Sequence, residues 1–113
     1  MPGKIPLAFY RGAGGAEPVR DWLKALPVAD RRVIGLDLMH LQWRWPVGMP
    51  LCRPMGQGLW EVRSNLAGNR SARVFFCAHC QTLVAVHGML KKSSATPARD
   101  LKLARKRARE IKE

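Results

Sequence analysis

A chain of 113 residues with a formal net charge of +12 is the size of one domain around one modest core, with no room for a second catalytic domain. Its 47% hydrophobic content and four tryptophans exclude a basic disordered tail, and no apolar run approaches the roughly 20 residues that span a bilayer. Such an excess of positive charge calls for a polyanionic partner, a nucleic acid or an acidic protein, unless it is only a solvated face kept for solubility.

Ile5, Leu7 and Phe9 alternate within Lys4 to Tyr10, the period of a strand, and Gly12-Ala13-Gly14-Gly15 ends it. No Gly-Lys-Ser/Thr follows those glycines, so they read as a turn into a helix rather than as a phosphate loop. Pro18 suits the first helical turn after Glu17. Val19, Trp22, Leu23 and Leu26 then fall at i, i+3, i+4 and i+7, and Pro27 closes the helix. Asp30 to Trp45 repeats the pattern with Ile34, Leu38, Leu41 and Trp45 on one stripe, until Pro46 stops it. Two helices joined this closely form an antiparallel hairpin whose apolar faces pack on a sheet. Trp22, Trp43 and Trp45 belong to this layer, so they read as packing residues rather than as a base-stacking platform.

Pro46 to Gly58 is rich in proline and glycine and reads as an irregular connection with a short extended piece around Leu51 to Arg53. The second strand follows, with Trp60 and Val62 on one face and Glu61, Arg63 and Asn65 on the other. After a turn at Ala67 to Ser71, the third strand puts Arg73, Phe75 and Cys77 on one face. A tight turn at Ala78 to Gln81 leads to the fourth, Thr82 to Met89, where Val84 and Val86 oppose Leu83, Ala85 and His87. Ser93 to Ala95 is a polar connection. Thr96 as N-cap and Pro97 at N1 then start a last helix, with Leu101, Ala104, Ala108 and Ile111 on a narrow apolar stripe beside a dense basic face. The expected fold is a single α+β domain over residues 1–113 in the order β-α-α-β-β-β-α, a mainly antiparallel sheet packed against a helical hairpin.

Cys52, Cys77 and Cys80 are odd in number and no export signal is recognisable, so reduced thiols and a cytoplasmic location are expected. Cys77-Ala78-His79-Cys80 has zinc-like spacing but lacks a second C-x-x-C, and no metal or other cofactor is expected.

The element order, the segments PVRDWLKAL from Pro18, LWEVR from Leu59 and ARVFF from Ala72, and His87 to Lys92 followed by Thr96-Pro97 and Ala104-Arg105 together resemble the RelE/ParE toxin superfamily, in its HigB-like, phage Gp49-like branch. The resemblance covers nearly the whole chain. It implies a toxin of a type II toxin–antitoxin system that cleaves messenger RNA on the ribosome, by attack of the substrate's 2′-OH on the adjacent phosphate without a metal. It also implies partners: a cognate antitoxin commonly carrying a helix-turn-helix domain, the ribosome and mRNA, with no membrane.

That reaction needs the 2′-OH activated, the extra charge of the phosphorane held, and the 5′-oxygen protonated. Arg63 and Arg73 suit the second task, because a guanidinium holds two phosphate oxygens while staying charged. His87, Glu61 and Lys91 compete for the proton transfers. His87 has the best unperturbed pKa, yet its parity with Leu83 and Ala85 equally allows a hydrogen-bonded structural role. Glu61 reads first as an ion-pair partner that orients Arg63 and second as a proton-transfer group. Lys92, Arg99, Lys102, Arg105, Lys106 and Arg109 are the expected RNA contacts. The tyrosine found near the C-terminal end of some relatives is absent, Tyr10 being the only tyrosine. Two further functions remain open: a ParE-like inhibitor that binds DNA gyrase without catalysis, and a degenerate phage-derived module that binds only RNA or antitoxin.

Overall fold

Proline and glycine punctuation sets the helices, and alternation sets the strands. The computed structural model describes residues 3–91 and 96–112. Along them run β1 (Leu7–Phe9), α1 (Pro18–Ala25), α2 (Val28–Arg44), β2 (Cys52–Gly56), β3 (Leu59–Leu66), β4 (Arg70–His79), β5 (Thr82–Lys91) and α3 (Ala98–Lys112). The sheet has five strands in the order β1-β5-β4-β3-β2. β1 pairs parallel with β5, and the other neighbours are antiparallel. The α+β class and the helical hairpin are as expected, with one strand more: the extended piece near Leu51 is the start of β2, an edge strand whose ladder with β3 carries a bulge between Pro54 and Gly56.

The sheet is covered on both faces. Against the α1–α2 hairpin lie Val62, Leu66, Ala72, Val74, Phe76, Leu83 and Ala85, closed by Val19, Ile34, Leu38 and Leu41 from the helices. Trp45 caps this layer edge-on to Trp60 and Phe76, with ring centroids 5.0 and 5.3 Å away. Trp22 lies over β5, so close that a Cβ on Gly88 would collide with its ring. Trp43 departs from the expected packing: its side of α2 faces solvent. A bidentate ion pair from Arg70 on β4 to Asp30, with both contacts at 2.9 Å, ties the first turn of α2 to the sheet.

On the other face the stripe of α3 packs as expected, with Ala104 and Ala108 buried and Leu101 and Ile111 beside them, over Leu59, Phe75, Cys77 and Val86. Here a bulge decides the site. Phe75 pairs with His87 but Phe76 pairs with Ala85, leaving Val86 as the extra residue. A bulge shifts the parity of all that follows it, so Val84, Val86 and His87 share the α3 side and the expected grouping of His87 with Leu83 and Ala85 is overturned. Thr96 also differs from expectation: α3 starts after Pro97, whose carbonyl accepts the first amide bonds, from Asp100 and Leu101, so the threonine hydroxyl is released for another use.

Candidate active site

Cross-strand pairing brings the charged residues together at one end of the α3 face. Arg53 of β2 stands opposite Glu61, Arg63 of β3 opposite Arg73 of β4, and Lys91 of β5 opposite Ser71, next along β4 on that face from Arg73. Alternation at β3 and β4 thus runs as read from the sequence. The expected partner of Glu61 does not: it pairs with Arg73, not Arg63.

Arg73 Nη1 donates to Glu61 Oε1 at 2.8 Å, and both residues are almost wholly enclosed, at 3% and 1% exposure. Thr96 donates its hydroxyl to the other carboxylate oxygen at 3.2 Å and accepts from Lys91 Nζ at 3.1 Å. The residue expected to cap α3 therefore links Glu61 to Lys91. Lys91 is itself buried, and burial holds its pKa below the usual lysine value, helped by the charges of Arg73, Arg53 and Arg63 and opposed by Glu61. Among the described residues this cluster sets four cations, Arg53, Arg63, Arg73 and Lys91, against the Glu61 carboxylate. Arg73 Nε is buried without a hydrogen-bond partner, a cost of about 1–3 kcal/mol, while Arg53 and Arg63 at the margin are exposed. Positive charge held in partly desolvated surroundings is a ready site for an oxyanion such as a phosphodiester.

His87 lies level with Glu61 across the sheet, both standing opposite Phe75. Its Nε2 is 2.7 Å from Asp100 Oδ1 in the first turn of α3, and its ring stacks on Phe75 with centroids 6.0 Å apart. The bond is a clasp between β5 and α3, on the face opposite to the one on which parity with Leu83 and Ala85 set a structural histidine.

The expected RNA contacts divide. Arg105 donates to the carbonyls of Met55 and Gly56 at 2.7 and 3.1 Å, fastening α3 to the β2–β3 hairpin. Arg99, Lys102, Lys106 and Arg109 face solvent, whereas Lys92 falls outside the described residues. Arg107, outside the expected set, donates to the Val86 carbonyl at 2.9 Å and sits 5.2 Å over the Tyr10 ring. Tyr10 in turn donates to Glu110 at 3.0 Å, so the only tyrosine in the sequence, though it leaves β1, comes to rest beside the C-terminal helix.

Two site residues were missed by sequence reasoning. Arg53 sat in a segment read as mostly irregular, although its extended start adjoins a strand with a polar face. Thr96 was assigned to helix capping, the commonest use of a threonine before Pro. Cys77 is buried beneath α3 and Cys80 is exposed in the hairpin turn, so the two sulfurs of the C-x-x-C do not share an environment. Burial of Cys52 pushes its thiol pKa up to about 11, favouring the neutral form. Among the described residues no group of three His, Cys, Asp or Glu side chains could hold a metal ion, and no helix is long and apolar enough to cross a membrane.

No curated protein matches the chain. The family described as phage derived protein Gp49-like matches residues 21–109, from within α1 through the arginines of α3. That span takes in the whole charged cluster and most of the fold, and so the chain belongs to the Gp49-like family, a RelE-like toxin family.

Proposed function

We propose that this toxin-like module is a metal-independent endoribonuclease that cleaves messenger RNA on the ribosome, in the cytoplasm, and is neutralised by a partner antitoxin. The observation that carries the reading is the gathering of Arg53, Arg63 and Arg73 about buried Lys91, with Glu61 as the carboxylate among the described residues that balances them. A solubility patch would spread its charge over exposed positions; burying two cations beside one carboxylate has a large desolvation cost that an anionic ligand offsets.

In this reading the scissile phosphate lies against Arg53 and Arg63, the exposed members, and approaches Arg73 from the margin. The substrate 2′-oxygen attacks phosphorus, the bond to the 5′-oxygen breaks, and the products are a 2′,3′-cyclic phosphate and a 5′-hydroxyl. The proton leaving the 2′-OH and the one reaching the 5′-oxygen pass through side chains or the substrate's surroundings. Lys91 is the better-placed proton carrier, because its lowered pKa makes it a stronger acid than an ordinary lysine. His87 acts through position, holding α3 in place by way of Asp100. Glu61 fixes Arg73 and, through Thr96, the start of α3. The exposed Arg99, Lys102, Lys106 and Arg109 supply diffuse contacts to ribosomal or messenger RNA.

The test is a translating extract to which purified protein is added. Cuts within the reading frame are expected, ending in cyclic phosphate, and Arg63→Ala should slow them by about 10²-fold or more, the loss of one preorganised charge stabiliser. Arg63 is exposed, so this variant keeps its fold. Supercoiling inhibition without RNA cleavage would replace the reading with the gyrase one. Absence of both, with RNA binding retained, would leave a degenerate module.

A further inference from the structure

The outer side of α2 carries a second apolar stripe that the fold does not use. The inner stripe of Ile34, Leu38 and Leu41 is buried on the sheet. On the opposite side, at spacings of i, i+3 and i+7, Leu36, Met39 and Trp43 are 51%, 46% and 59% exposed, with Val28 continuing the line. A surface helix ordinarily turns a polar face outward, and a contiguous exposed apolar patch marks an interaction site. Arg32 lies within the stripe, and Arg44 and His40 flank it, all exposed.

Charge selects the occupant. A second copy docked isologously on this face would bring Arg32 and Arg44 of two chains, each with net charge +12, against one another, at a repulsive cost. A nucleic acid would satisfy the arginines and leave Leu36 and Met39 without apolar cover. A helix with an apolar stripe bordered by Asp and Glu satisfies both. We infer that the outer face of α2 is the docking surface for an acidic amphipathic helix of a partner protein. From Val28 to Trp43 the stripe runs about 22 Å, so the partner needs roughly four turns. Beside it a groove lined by Val33, Asp37, Pro50, Leu51, Arg63 and Asn65 reaches Arg63 of the cationic cluster, Asp37 being the one acidic group among the described residues on its wall. An acidic side chain at that border would reach Arg63, and the docked helix would then restrain the nuclease; this consequence, unlike the docking, rests on the proposed function.

A phage-displayed library of 20-residue helical peptides, selected on the full chain and followed by calorimetry with the recovered peptides, tests the docking without any RNA. Recovered sequences should combine an i, i+3, i+7 apolar stripe with flanking Asp and Glu, and their affinity should fall at least tenfold with Leu36→Ser/Met39→Ser. That double variant changes only exposed side chains, and an unchanged thermal melt verifies its fold. Acidic peptides without an apolar stripe, or binding indifferent to the double variant, would overturn the inference. So would micromolar self-association in sedimentation that the double variant abolishes, because the occupant would then be a second copy. The nuclease reading is judged separately, by cleavage with Arg63→Ala.

Discussion

Removing Glu61 should harm the fold more than removing Arg73, although the two form one ion pair. Among the described residues Glu61 is the carboxylate that acts on Lys91, in a cluster with Arg53, Arg63 and Arg73. Glu61→Ala leaves Arg73 and Lys91, both buried, facing each other, and takes the acceptor from the Thr96 hydroxyl. Breaking a buried pair from one side costs about 3–5 kcal/mol, and this side belongs at the upper end. Arg73→Ala leaves Glu61 still bonded to Thr96, with Lys91 to balance its charge, so roughly 2–3 kcal/mol is expected from the lost bond and the lost packing of the arginine stem. The assay is urea denaturation of the two single variants and of Glu61→Leu/Arg73→Met, which should recover part of the loss: the buried guanidinium goes with its partner, while Lys91 still loses the Glu61 carboxylate. Sulfate should then raise the melting temperature of Glu61→Ala more than that of the parent or Arg73→Ala, measured against chloride at matched ionic strength, since an anion in the vacated position adds binding free energy to the folded state. Equal losses from the two single variants, or sulfate stabilising all proteins alike, would refute the idea that the cluster is an anion site.

Gly88→Ala should destabilise by about 1–3 kcal/mol, read by thermal melting, because the added methyl meets the Trp22 ring; Trp22→Leu in the same chain should recover part of it. Hydrogen bonds from Arg70 hold the Asp30 carboxyl below its ordinary pKa, so this pair contributes stability above the unfolded carboxyl value near 4 and loses it as pH falls through the folded value. Asp30→Asn should therefore lower stability at neutral pH and flatten its decline in acid, in denaturation followed from pH 7 to pH 2. The depressed Lys91 pKa also makes stability rise with pH, here by relief of a penalty: the charged form is disfavoured by folding, and the penalty is relieved as pH rises through the folded value. If Lys91 donates the proton, cleavage should decline on the alkaline side at a pH below that of an ordinary lysine, and Lys91→Arg should remove that limb while retaining charge.

Most of the architecture was legible because the governing signals are local. Pro18, Pro27 and Pro46 frame the two hairpin helices, and the alternation in Leu59 to Asn65 places Glu61 and Arg63 on one side of β3. The difficulties arose where one residue changed the count. Val86 is an extra residue in β5, and a bulge that depends on the partner strand cannot be read from period-2 alternation in one strand; His87 was therefore assigned by parity to the wrong face. β2 was hidden because Pro54 and the glycines of an edge strand look like loop, and with it went Arg53. The pairing of Glu61 with Arg73 instead of Arg63 depends on register between strands, which no single strand carries. Thr96 shows the converse: a strong local preference for capping gave way to a buried carboxylate that lacked a second donor.

Cleavage by the exposed member of the cluster tests the central claim most directly. Messenger RNA from a translating extract, mapped at nucleotide resolution after addition of the parent protein or Arg63→Ala, should show in-frame cuts with the parent and about 10²-fold fewer with the variant, at an unchanged melting temperature. In-frame cutting that persists at the parent rate in Arg63→Ala would contradict the assignment of this cluster as the site of phosphodiester chemistry.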